Sequence, residues 1–215
     1  MMIAKIVFIV FLCCGVASSQ ELQTVKILAK AKPVPAGCKP ADDIVCGQGV
    51  VVYVGEKQIG VALTARHVLI NDSHDVDTND FVIKYSDGRK SIHCRQIHED
   101  AASDIAAFAC WVPATVQPIS VGDSETFESP FFVGQNGKRT AVSVSLLQSK
   151  QLFCDGFVRK GDSGSGLFDD GKLVGIVSGG WFWLERDNKT TWPLRFGRPS
   201  SALKTWKIHE NGWPK

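Results

Sequence analysis

Gly161-Asp162-Ser163-Gly164-Ser165-Gly166 is the stretch from which the rest of this chain is read. It runs straight into Leu167-Phe168. After a turn comes Leu173-Val174-Gly175-Ile176-Val177-Ser178-Gly179-Gly180. A serine between glycines fits a tight turn with its hydroxyl exposed, because glycine accepts positive φ and lets another backbone or a ligand come close. Backbone N–H groups around such a turn can converge on one point, where a developing oxyanion would be held. Gly/Ser/Asp clusters are also ordinary surface turns. Two further motifs raise the signal: Thr64-Ala65-Arg66-His67 upstream, and Ser103-Asp104-Ile105-Ala106 between the two. The order His, Asp, Ser is one of the orders in which catalytic triads occur.

Together Thr64-Ala65-Arg66-His67, Asp104-Ile105-Ala106 and Gly161-Asp162-Ser163-Gly164 resemble the motifs of chymotrypsin/trypsin-like serine peptidases, and residues 174–178 resemble that family's substrate-binding strand. Motifs in the right order over residues 44–208 are far more specific than any one of them. There are three departures. Arg66 stands where alanine is usual, Ser165 where a second glycine is common, and Val68 where a cysteine usually follows the histidine. The resemblance implies two six-stranded antiparallel β-barrels with the site in the cleft between them. His67 and Asp104 would come from the first barrel and Ser163 from the second.

The residues themselves agree with an all-β chain. Short β-rich runs at 49–53, 60–63, 81–85, 91–97, 105–109, 131–134, 141–147, 152–154, 166–168 and 173–177 are separated by Gly/Asn/Asp turns. Residues 181–184 and 192–196 read as the arms of a hairpin. Residues 200–206 start on serine and carry an apolar face, so a short closing helix is expected. Residues 20–43, with Pro33, Pro35 and Pro40, read as an extended arm or a lead-in strand. The expected organisation is a signal peptide over 1–19, an arm over 20–43, a first barrel over 44–116, and a second barrel with the helix over 117–215.

The 215 residues suit one domain or a two-barrel unit, and near-balanced charge implies neither a nucleic-acid nor a membrane-surface partner. Lys5, the apolar run 6–16 and Ala17-Ser18-Ser19 read as a secretory signal, the run being too short to span a bilayer. A soluble, secreted monomer acting on protein or peptide, with no metal or cofactor, is expected. Seven cysteines fall to five without Cys13 and Cys14. Cys38–Cys46 and Cys94–Cys110 are the local choices for disulfides in an oxidising compartment, with Cys154 either left over or tying the loop before Ser163 to another segment. Asn71-Asp72-Ser73 and Asn188-Lys189-Thr190 are glycosylation sequons.

The chemistry follows from residue types. A serine hydroxyl needs a base within hydrogen-bond reach, and the imidazole needs a carboxylate to hold its tautomer. Ser163 is assigned as nucleophile, His67 as general base and then acid, and Asp104 as the orienting carboxylate. Asp75, Asp77, Asp80 and Asp100 are the rivals of Asp104. By the resemblance, the N–H groups of Gly161 and Ser163 form the oxyanion hole. Phe157 would sit at the base of the primary pocket, Gly179 and Gly180 would leave its wall open, and residues 178–180 would pair with substrate backbone. Arg198 could reach that pocket and favour an acidic side chain, whereas Phe157 favours an apolar one. In zymogen-derived members Asp162 pairs with a freed N-terminus. Ile44-Val45-Cys46-Gly47 is the nearest match to such a terminus here, but it lies too close to His67 for the full lead-in strands. No activating cleavage is expected, and Asp162 must find other partners, with Arg159 and Lys160 the candidates. The rival readings are a catalytically silent homologue, an α/β-hydrolase esterase and a lectin-like module. The esterase fails because the serine motif is not Gly-x-Ser-x-Gly and strands do not alternate with helices. The lectin-like module leaves the motif order unexplained.

Overall fold

The computed structural model describes residues 24–29, 44–70, 77–156, 158–159, 161–180 and 192–207. The signal segment, Cys38, both sequons, Phe157, Lys160 and residues 181–184 lie outside them. Among the described residues no helix is long and apolar enough to cross a membrane.

The first half is a closed barrel of β1 (Thr24–Ala29), β2 (Ile44–Val54), β3 (Ile59–Ala65), β4 (Phe81–Tyr85), β5 (Lys90–Asp100) and β6 (Ile105–Trp111), in the order β1-β2-β3-β6-β5-β4. Its pairings are all antiparallel. In β4 the alternation is plain: Phe81, Ile83 and Tyr85 are buried and Lys84 is exposed, as expected of a strand with one face on a core. In β6 Ile105, Ala106, Ala107 and Phe108 are all buried, because that strand has packing on both sides. Phe108 and Phe81 meet edge to face at 5.2 Å between ring centres. The barrel begins earlier than the expected boundary at residue 44. β1 is one of its staves, paired with both β2 and β4.

A one-turn helix, α1 (Arg66–Leu69), follows β3 directly. The second half comprises β7 (Phe131–Val133), β8 (Arg139–Ala141), β9 (Ser143–Leu147), β10 (Gln151–Gly156), β11 (Gly166–Asp169), β12 (Lys172–Gly180) and β13 (Trp192–Gly197), ending in α2 (Pro199–Thr205). These strands form one seven-stranded sheet, β8-β7-β11-β12-β13-β10-β9. The fold is all-β with few helices, as expected. The second unit is a half-barrel rather than a closed six-stranded barrel, because β8 and β9, at its two ends, do not pair with each other. One core lies within this sheet, around Phe132, Leu152, Leu167 and Phe196. The larger core runs from the first barrel on to Phe168, Leu173, Ile176 and Leu203. The two halves therefore bury one another.

The expected Cys94–Cys110 disulfide is corrected, whereas the Cys38–Cys46 pairing involves Cys38 and lies outside the described residues. Cys46, Cys94, Cys110 and Cys154 are free thiols. Cys94 and Cys110 are neighbours, lying one residue beyond the Arg95–Ala109 pair of β5 and β6. The two thiols interact: the hydrogen bond with Cys110 pulls the Cys94 thiol down, and the Cys94 sulfur also lies 3.5 Å from Ser91 Oγ. Burial pushes the Cys46 and Cys154 thiols up to about 12.

Candidate active site

His67 owes its place to the end of β3. Ala65 is in register with Ile105 of β6, so the first turn of α1 lies against the turn that precedes β6. Arg66 N–H donates to Asp104 O at 2.9 Å. His67 N–H donates to Asp104 Oδ1 at 3.1 Å, and the His67 ring Nδ1 lies 2.7 Å from Asp104 Oδ2. Asp104 sits at φ +54°, in the left-handed region, which aspartate enters more readily than most residues. Its rival Asp100 builds the turn instead: it accepts from Ala102 N–H at 3.1 Å and from Ser103 Oγ at 2.9 Å. Asp80 faces His93, and Asp77 caps Asn79 N–H. Asp75 lies outside the described residues.

Ser178 Oγ donates to Asp104 Oδ2 at 2.6 Å and accepts from Arg195 Nε at 3.1 Å. Burial pushes the Asp104 carboxyl up. Hydrogen bonds from His67 and Ser178, with the adjacent imidazole, outweigh that, and the net direction is down. An ionised carboxylate at Nδ1 holds the ring proton there and leaves the Nε2 lone pair facing away from Asp104. Ser178 thus serves the aspartate with its side chain, a role distinct from the substrate-pairing expected of its backbone.

The serine loop is held against the first barrel by Gln48 of β2. Gln48 N–H donates to Ser163 O at 2.8 Å, and Gln48 Nε2 donates to Ser165 Oγ at 2.6 Å. Thr64 Oγ1, three residues before His67, donates to Gln48 O at 2.6 Å. Gly47 fits in a slot in which a Cβ would lie 2.6 Å from the Val68 methyls and 2.9 Å from Ser163 O. Each departure from the family pattern therefore has a partner. Ser165 answers Gln48, Val68 packs on Gly47, and Arg66 Nε reaches Glu99 at 3.1 Å.

Gly161 has φ +94° and Gly164 φ +84°. A Cβ on Gly164 would lie 2.0 Å from Gln48 O. The N–H groups of Gly161 and Ser163 have no acceptor among the described residues. Asp162 is buried and takes two backbone donors, Gln135 N–H at 2.8 Å and Arg159 N–H at 2.7 Å. Arg159 does contribute, through its main chain. Ile44, the nearest candidate for a freed terminus, is paired with Ala29 in β1. Ser163 Oγ makes no hydrogen bond to a described residue, His67 included. Such bonds are often long before substrate binds.

Of the other expected site residues, Gly179 is open among the described residues: a Cβ there would meet none of them within 4 Å. Gly180 pairs with Leu194. Arg198 is corrected. Its guanidinium is tied to Asp123 at 2.8 Å and to Gln148 O at 3.2 Å, beside the start of α2, and so is not free for a substrate. Arg195 is the residue the motifs missed. Its place between buried Leu194 and Phe196 was the available signal, since strand alternation turns it away from that core.

Among solved structures the chain is similar to the serine endoprotease from Yersinia pestis, with a TM-score of 0.59 at 18% identity. The match covers 88% of this chain and 63% of that one, so this chain spans less than two thirds of its neighbour. A likeness at that identity speaks to the fold, and a shared fold does not by itself carry an activity. No protein-family model matches the chain, and no curated protein matches it either.

Proposed function

We propose that this protein is a secreted serine endopeptidase. The observation that carries the reading is the relay Ser178–Asp104–His67, set beside a glycine-bound Ser163 and two N–H groups, of Gly161 and Ser163, that have no acceptor among the described residues. Ser163 Oγ attacks the scissile carbonyl carbon and its proton passes to His67 Nε2. The oxyanion is met by the N–H groups of Gly161 and Ser163. The imidazolium then protonates the leaving amine, the C–N bond breaks, and an acyl group remains on Ser163. Water, deprotonated by His67, releases it. No metal or cofactor enters. The neighbour's name supports the peptidase class, and residues 1–19 support export.

A second reading, a silent homologue acting as a binding module, is favoured by one observation, the missing bond between Ser163 Oγ and His67. The test is a fluorophosphonate probe together with a peptide-library digest, each run beside Ser163→Ala. Labelling and cleavage that both vanish in Ser163→Ala support the peptidase. A folded protein that neither reacts nor cleaves rejects it.

A further inference from the structure

We infer that Arg195 is the specificity-determining cation of this cleft, selecting peptides with an acidic side chain on the residue that donates the acyl group to Ser163. The inference rests on the peptidase reading and names its substrate class. Three observations carry it.

The first is a β-bulge. Val177 pairs with Phe196 and Gly179 with Arg195, so Ser178 is the extra residue opposite Arg195. A bulge of this kind re-aims side chains. Here it brings Ser178 Oγ and Arg195 Nε together on the side where Ser178 reaches Asp104. The guanidinium is therefore fixed beside the triad through one of its nitrogens.

The second is vacancy. Arg195 is exposed, and its two terminal nitrogens have no acceptor among the described residues. Beside it, a Cβ on Gly179 would meet no described residue within 4 Å.

The third is a free strand edge. β11 pairs with β12 only as far as Gly166–Ile176, and the serine loop bonds Val177 through Gly164 N–H and Ser165 O. Residues 178–180 then have β13 on one side and no described strand on the other. An extended peptide can add to that edge, and its pockets would read alternate side chains. The residue whose carbonyl reaches Ser163 would lay its side chain over Gly179, toward Arg195. A guanidinium binds carboxylate through two parallel N–H donors, and two terminal N–H groups remain for that purpose.

The experiment uses peptides differing only at the acyl-donor residue (Glu, Gln or Lys), with an identical chromogenic amine as leaving group. A charge-assisted pair predicts kcat/KM for Glu about ten- to a hundredfold above Gln, with Lys lowest. Arg195→Lys keeps the order, and Arg195→Glu reverses it in favour of Lys. A merely structural role for Arg195 would slow all three peptides alike. Should Arg195→Glu fail to fold, the Glu/Gln ratio of the unmodified protein decides, and it must shrink as salt is raised. Ser163-dependent cleavage with Gln equal to or better than Glu overturns the inference. In parallel, product-like peptides ending in Glu, Gln or Lys are titrated against Ser163→Ala. If nothing is cleaved but Glu binds more tightly than Gln, the peptidase reading falls and the acidic subsite stands. Equal binding removes the subsite.

Discussion

Gln48 Nε2 donates to Ser165 Oγ at 2.6 Å, which links a strand of the closed barrel to the loop that carries Ser163 in the other half. Both groups are buried, so neither can turn to water for a substitute. Among the described residues, Ser165→Ala therefore leaves the Gln48 amide nitrogen with only the long 3.5 Å contact to Gly161 O. The expected loss is about 1–3 kcal/mol of stability, read as a lower denaturant midpoint at unchanged m-value.

Gly164 combines a left-handed backbone with an approach of 2.0 Å between a built Cβ and Gln48 O. Gly164→Ala must both strain φ and push the loop from the barrel. The cost should reach about 3 kcal/mol or more, from strain and overpacking together. Activity should fall even in the fraction that stays folded. A thermal melt and a fluorophosphonate labelling rate measure the two effects separately.

Asp104→Asn keeps the size but reverses the hydrogen bonding at His67 Nδ1, so kcat should fall by about 10⁴. The same variant tests a pH effect. The folded carboxyl lies below its ordinary value, so its contribution is present above the unfolded value. It is lost as pH falls through the folded value. The stability gap between the unmodified protein and Asp104→Asn should thus be full at neutral pH and shrink under acid. Unfolding midpoints measured from pH 7 down to about pH 2 check the sign; a gap that widened at low pH would contradict it.

Cys154 is buried and Cys46 half-buried, with both thiols pushed up to about 12, so thiolate is scarce at each. Alkylation at pH 8 should be slow in the native protein and fast after unfolding, for these two and for buried Cys94 and Cys110. Mass mapping of the alkylated peptides separates the four. A native Cys94–Cys110 peptide resistant to alkylation without reductant would show that the pair is oxidised in the purified protein.

Much of this molecule could be read from the chain, and the parts that could not share a cause. β4 stands where alternation puts it, because that signal is local; the closing helix lies within a residue of its expected span but starts on Pro199, with Arg198 rather than a serine as its N-cap. His67 and Asp104 meet because β3 and β6 pair in one register, which the motif order implied. β1 carries the same kind of apolar alternation in six residues, but prolines follow it at 33, 35 and 40, and its neighbours β2 and β4 are distant in sequence. The half-barrel depends on whether two terminal strands find each other, and no local pattern encodes that. Ser178 and Arg195 become partners only through a one-residue slip in pairing, so their contact leaves no periodic trace. The Arg198 expectation was right in charge but wrong in place. Three residues further along, the chain has left β13, and its cation is held by Asp123.

β1 reaches β2 only through residues 30–43, yet it is held on both flanks, by Gly47, Gln48 and Gly49 on one side and Ile83 and Tyr85 on the other. Scission within residues 30–43 would consequently yield a nicked protein whose short leading fragment stays docked. That fragment would be released only by denaturation, so electrophoresis without denaturant would report one species and with denaturant two.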